Sequence, residues 1–294
     1  MKFINAERNR FGVEPICRTL EIAPSTYYAA ISRPCSERRR RDAELKADIG
    51  RVHKDNFGVY GARKLWRQLN REGIAVGRDR VGRLMRALHL EGVRRGKRKR
   101  TTHPAEVDKR PADLVARQFK AEAPNRLWVA DLTYVSSWSG FLYVALVIDV
   151  FSRYIVGWRV SASLHAELAL DALEMAIWSR RTEELKGLVH HSDRGVQYLA
   201  IRYTERLGEI GAVCSVGSRG DSYDNALAES VHGLYKSELI GQRGPWRSLD
   251  QLELATAEWV DWYNRRRLHG SLGDIPPAEF EQLYRRRLEA PDAA

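Results

Sequence analysis

Three carboxylates in this 294-residue chain stand where structure alone gives little reason for a charge. Asp131 falls in the middle of an alternating run in which Leu127, Val129, Asp131, Thr133 and Val135 share one face. A charge there is costly unless it is paired or bound to a metal. Asp193 follows a short apolar run in HHSDRGVQY, at the carboxyl end of an expected strand, where open α/β sheets commonly hold ligands. Glu229 lies on a helix that opens at Asp224-Asn225, and the helical repeat puts Asn225, Glu229 and Lys236 on one face. Two strand carboxylates and one helix carboxylate that converge on a point suit hard divalent cations. Two Mg²⁺ ions ~3.5 to 4 Å apart activate an attacking oxygen and stabilise the leaving oxygen of a phosphodiester, with no nucleophilic side chain required.

The elements that must position these residues follow from the hydrophobic period. Segments 127–136 and 141–150 read as strands joined by a turn at Ser139-Gly140, and 155–160 as a third strand. Segment 164–178 has helical apolar spacing, 188–191 is a short strand, 198–210 a helix and 212–216 a fifth strand. The order β-β-β-α-β-α-β, followed by helices, predicts an α/β fold built on a mixed five-stranded sheet flanked by helices. Trp128, Trp158, Trp178, Trp259 and Trp262 are expected to anchor its core.

Charge divides the chain. Residues 1–110 carry a net +15 and residues 111–294 a net −4, the signature of a nucleic-acid-binding module joined to a domain with another task. Within the basic part, Ala62, Leu65, Trp66 and Leu69 and then Val81, Leu84, Met85 and Leu88 form two amphipathic helical sets around a compact turn at 73–77. This is the outline of a helix-turn-helix. Its candidate DNA contacts are Arg63, Lys64 and Arg67 on the first helix and Arg78, Arg80, Arg83 and Arg86 on the second. Segment 13–28 has a weaker outline of the same kind, with Pro24-Ser25 starting a helix. Lys97, Arg98, Lys99 and Arg100 belong to a charge run that favours phosphate contacts and leads into a proline-containing linker. The expected domains are an N-terminal helical segment (1–52), the helix-turn-helix region (53–93), the basic linker (94–123), the sheet domain (124–240) and a C-terminal helical extension (241–294).

Other classes fit poorly. No apolar run reaches the ~18 residues of a membrane helix, so a cytoplasmic protein is expected. Cys17, Cys35 and Cys214 are too scattered for a disulfide framework or a thiolate zinc site. The serine in His190-His191-Ser192-Asp193 lacks the G-x-S-x-G elbow that exposes a nucleophile. His232 and His269 have no zinc-type partner and read as ordinary surface or core histidines. Asp149, Asp221 and Asp224 read as structural acids.

The segments WVADLTYV (128–135), HSDRGVQY (191–198) and SRGDSYDNALAESVHGLYKSE (218–238) resemble the catalytic core of DDE transposases and retroviral integrases. The resemblance is strongest to the OrfB product of the insertion sequence 3 family. Thirty-five residues separate Asp193 from Glu229, a basic residue, Lys236, follows seven positions later, and WYNRRRLHGSLGDIPP (262–277) matches that family's C-terminal motif. The resemblance implies an RNase H-like integrase core in which Asp131, Asp193 and Glu229 are catalytic and hold two Mg²⁺ or Mn²⁺ ions. It implies cleavage at element ends, then 3′-OH strand transfer into DNA, with Lys236 touching DNA near the site. It further implies terminal inverted repeats and target DNA as partners, homo-oligomer assembly on DNA, and an upstream OrfA product or OrfA–OrfB frameshift fusion. A DNA-binding regulator with a degenerate core, or a nuclease that cuts without joining, would be separated from this reading by metal-dependent cleavage and by joined products.

Overall fold

The computed structural model describes residues 1–32, 36–94, 121–192, 196–216 and 226–290. The chain divides into two compact units, Met1–Gly50 and Arg51–Ala294. In the first, α1 (Lys2–Phe11), α2 (Val13–Thr19) and α3 (Pro24–Ser32) enclose Ile4, Ile16, Cys17 and Tyr27. The Tyr27 hydroxyl donates to Asn5 Oδ1 at 2.8 Å, so the one polar atom of that small core is satisfied. The long basic α4 (Glu37–Asp55) follows in sequence.

The second unit begins with the helix-turn-helix, α5 (Ala62–Arg71) and α6 (Arg78–Ala87). Leu65 and Leu69 of α5 and Val81, Leu84 and Met85 of α6 are buried, as their spacing requires. Gly73, at φ 82°, turns the chain between them.

The sheet contains β1 (Leu127–Ser137), β2 (Gly140–Asp149), β3 (Ile155–Ser161), β4 (Val189–Ser192) and β5 (Val213–Val216), in the spatial order β3-β2-β1-β4-β5. The first three strands are antiparallel, and β4 and β5 continue the sheet in parallel. Parallel pairing needs a crossover, supplied by α7 (Ala166–Ser179) before β4 and α8 (Ile201–Glu209) before β5. These strand directions and this order are those of an RNase H-like fold. One sheet face buries Trp128, Ala130, Ala145, Val147 and Val156 against α7. A Cβ on Gly157 would stand 2.1 Å from the Ala172 carbonyl oxygen, so only glycine lets β3 approach α7 this closely.

Two expectations need correction. Segment 198–210 is not one helix, because Ala200 is extended (ψ 136°) and separates a 3₁₀ turn at Val196–Leu199 from α8. Trp178 is not a core anchor. The buried stripe of α7 is Leu168, Ala169, Ala172, Leu173 and Ala176, and two residues on, roughly 200° round the helix, Trp178 is 67% exposed under the Arg181 guanidinium.

Past the sheet, α9 (Ala226–Tyr235) runs through a π-helical turn (Lys236–Ile240) and a short α10 (Gly241–Arg243) to α11 (Leu249–Arg265) and α12 (Pro277–Glu289). The Asn264 side chain on α11 clasps the β3 backbone, accepting from Ile155 N–H (2.9 Å) and donating to Ile155 C=O (3.0 Å). The helix-turn-helix region docks on the same C-terminal part. The Tyr60 hydroxyl accepts from Leu268 N–H (2.7 Å) and the Trp262 indole donates to Asn56 Oδ1 (3.0 Å).

Candidate active site

The alternation of β1 turns Trp128 and Ala130 toward α7, and Val129, Asp131 and Thr133 therefore to the opposite face, where α9 packs on β1. Asp131 is half-buried there, one oxygen accepting from Leu132 N–H at 2.8 Å. Glu229, also half-buried, is in the first turn of α9. One turn on, the buried His232 makes a hydrogen bond to the backbone of Asp131. The donor is a ring N–H and the acceptor the carbonyl, since the contact favours the protonated ring. Burial, and after it the Lys236 charge, nevertheless hold this imidazole down at about 3, so it is neutral. Its Nε2 has no hydrogen-bond partner among the described residues.

One further turn on, Lys236 lies with its ammonium 4.9 Å from the Tyr134 ring centre. Burial lowers its pKa, and the Asp131 carboxylate opposes that shift, which places the two charges within each other's field. Lys236 is also where the helix widens into the π turn, a distortion frequent at functional sites. In that turn the buried Glu238 receives Arg267 at two points, Nε at 2.8 Å.

Asp193 lies outside the described residues. The described part of β4 ends at Ser192, paired with Ala130 just before Asp131. The preceding histidines are locked into the sheet: His191 Nδ1 meets Ser215 Oγ at 2.9 Å, and His190 Nε2 meets the Tyr203 hydroxyl at 3.0 Å. Burial lowers His190 to about 4, so it stays neutral. Among the described residues no three His, Cys, Asp or Glu side chains close around one point. Asp131 and Glu229 supply hard oxygen donors on adjoining elements, a set suited to Mg²⁺ or Mn²⁺.

The remaining candidates separate by helix. On α5, Arg63 and Arg67 both reach Asp274, at 3.4 and 3.2 Å, and Lys64 is half-buried. On α6, Arg83 and Arg86 are exposed, Arg78 is exposed beside Asp79 and Arg80 is half-buried. Lys97, Arg98, Lys99 and Arg100 lie outside the described residues. His232 is the residue that sequence reasoning passed over. Its position, three after Glu229 and four before Lys236, was the available signal.

Comparison with known families agrees with this geometry. Residues 121–222 and 211–277 each match an integrase core domain, and residues 39–98 match an HTH-like domain. The chain is 56% identical to a transposase of insertion sequence element IS986/IS6110 from Mycobacterium tuberculosis over 93% of its length and all of that protein. It is 53% identical to the transposase of IS629 from Shigella sonnei, over 97% of this chain and 96% of that one. The HTLV-2 integrase catalytic core, at 17% identity, aligns with 54% of this chain and 98% of its own, with a TM-score of 0.43. The fold and the matches define a protein with an integrase core and a helix-turn-helix region. The chain belongs to the insertion sequence 3 family of DDE transposases. No helix among the described residues is long and apolar enough to cross a membrane.

Proposed function

We propose that Asp131, Asp193 and Glu229 are the metal-holding catalytic triad of this transposase, which cleaves DNA at the ends of its element and joins the exposed 3′-OH to a target phosphodiester. The observation that carries this reading is the link between β1 and α9. The His232 bond to the Asp131 backbone ties β1 to α9, the helix that carries Glu229 one turn before His232. When bound, two Mg²⁺ or Mn²⁺ ions supply activation of the attacking oxygen and charge stabilisation at the leaving one. Asp131 and Glu229 hold the site open as hard donors, with Asp193 as the third. Lys236, partly desolvated beside them, contacts a phosphate of the DNA strand. Arg78, Arg80, Arg83 and Arg86 of α6, together with the run at 97–100, track the DNA backbone. Work on paired element ends calls for a homo-oligomer on DNA, and terminal-repeat recognition is completed by an upstream OrfA product or an OrfA–OrfB fusion, in the cytoplasm where the DNA lies.

The test is cleavage and joining on a labelled terminal-repeat duplex with Mg²⁺ or Mn²⁺, wild type beside Glu229→Gln and Asp131→Asn. Joined product from wild type alone, with duplex affinity unchanged in the variants, is the expected result. Equal joining by either variant would sink the site assignment. If the chain alone yields no product, the same three proteins are assayed as OrfA–OrfB fusions.

A further inference from the structure

The face of α9 turned away from Glu229, His232 and Lys236 borders a second feature. Ala226, Ser230 and Leu234 line a cleft of about 500 Å³, closed on its other sides by Lys64 of α5, Arg153 of the β2–β3 turn and the segment Arg267–Ser271. Arg267 is neutralised by Glu238. Lys64 and Arg153 have no such direct partner, although Glu238 and Asp274 act on Lys64 and Asp149 on Arg153 at longer range. Among the described residues neither side chain has a hydrogen-bond or ion-pair partner, and Lys64 meets only the Tyr60 ring, 5.2 Å from its centre. Burial holds the Lys64 ammonium down at about 8 and lowers the Arg153 guanidinium.

The three cations are close enough to act together. His269, on the cleft wall, is kept neutral by burial and then by the charges of Arg267, Lys64 and Arg153. Of the acids that act on Lys64, Glu238 is engaged by Arg267 and Asp274 is shared between Arg63 and Arg67. Two desolvated cations with no direct ion-pair partner, compensated only at longer range by Glu238, Asp274 and Asp149, gain from an anion placed between them. The backbone is bent to put one of them there, since Arg153 has φ 65°, a conformation uncommon for a residue with a side chain.

We propose that this cleft is a phosphate-binding site, in which Lys64 and Arg153, with the Ser271 hydroxyl as a further donor, hold a backbone phosphate of bound DNA. A phosphate offers acceptor oxygens on several sides and can meet cations from two elements at once. The choice of DNA as the phosphate's source rests on the proposed action on DNA. The site itself does not depend on the metal triad, from which α9 separates it.

Two measurements on the full chain test this, with Lys64→Met, Arg153→Met and the double variant. In the first, affinity for a terminal-repeat duplex is followed by fluorescence anisotropy across a salt series. Each single change is expected to weaken binding severalfold, and the double variant to reduce the slope of log K against log salt by about 1. Lys64→Arg should retain wild-type behaviour, and Lys64→Gln replaces the methionine variant if that fails to fold. In the second, millimolar inorganic phosphate should raise the unfolding temperature of the wild type and not of the double variant. A phosphate effect with unaltered duplex binding would keep the phosphate site and overturn DNA as its source. An unaltered salt slope together with no phosphate effect would overturn the proposal. Glu229→Gln should be neutral in both assays, so failure of the triad and failure of this site are read separately.

Discussion

Two groups of acids in this molecule look alike in sequence and differ in everything that matters for chemistry. Asp149 and Glu281 are fully partnered. Asp149 accepts from Asn125 N–H at 2.7 Å and from both the N–H and the hydroxyl of Ser152. Glu281 takes both arms of Arg180, at 2.8 and 2.6 Å, and the Ser152 hydroxyl. Such carboxylates have most of their acceptor sites filled by protein donors, and removing one leaves those donors unpaired. Asp131 and Glu229 are half-buried on adjoining elements, Asp131 with one oxygen accepting from Leu132 N–H at 2.8 Å. The two groups therefore differ in depth of burial and in the arginine and serine partners that hold Asp149 and Glu281 in place.

The largest effects should separate the groups cleanly. Glu229→Gln should remove several kcal/mol of transition-state stabilisation, on the order of 10³-fold in joining, with little change in unfolding temperature. Glu281→Gln should do the reverse. Arg180 keeps Glu183 at 3.2 Å, so losing the Glu281 charge is expected to cost about 1 to 3 kcal/mol, a fall of several degrees in a unit of this size, with joining per folded molecule preserved. Joining assays and differential scanning calorimetry on the two variants check this, and a stability loss in Glu229→Gln equal to that in Glu281→Gln would erase the distinction.

His232 sharpens the comparison, because it is buried like the structural acids but bonds the backbone of a proposed catalytic one. His232→Asn can keep a donor near the Asp131 carbonyl, whereas His232→Leu cannot. Groups that orient metal ligands typically contribute 10- to 100-fold. The Leu variant is therefore expected to need roughly that much more Mg²⁺ for half-maximal joining, and the Asn variant to recover part of the loss, with duplex affinity constant. A Leu variant with an unshifted Mg²⁺ requirement would reduce His232 to packing.

The buried histidines also set an acid limit. His190 is held at about 4 in the folded chain and is ordinary, near 6.5, when unfolded. The unfolded state thus binds the extra proton first, and stability present above pH 6.5 is lost as pH falls toward 4. Asp149 works in the opposite sense, since burial raises its pKa. Unfolding temperatures at pH 7.5, 6.0 and 5.0 should decline, and the decline should be shallower in His190→Gln.

How much of this was legible depended on range. The strands were legible because alternation in 127–135 and the apolar run at 141–150 are local patterns, and their observed bounds shift by one or two residues. The proposed triad rests on motif spacing, a property of the sequence alone, and Asp193 lies outside the described residues. What could not be read was pairing across the chain: that Asp149 and Glu281 share Ser152, 129 residues from Glu281 in sequence, or that Arg63 and Arg67 face Asp274 more than 200 residues away. Local amphipathicity gave α5 and α6 the same appearance. Only tertiary docking tells them apart.

That difference yields the smallest predicted effect. Arg63 and Arg67 share one carboxylate on the docked side of the helix-turn-helix region, so their alanine variants lose an exposed ion pair, about 0 to 1 kcal/mol, and little DNA affinity. Arg83 and Arg86 are exposed on the second helix, the one that enters the groove in such motifs. Each lost phosphate contact should reduce the salt slope of duplex binding by about 1. Anisotropy titrations of Arg83→Ala/Arg86→Ala against Arg63→Ala/Arg67→Ala compare the two helices directly. Equal slopes would mean that α5 releases Asp274 when DNA arrives, and that the division drawn between the two helices holds only for the free protein.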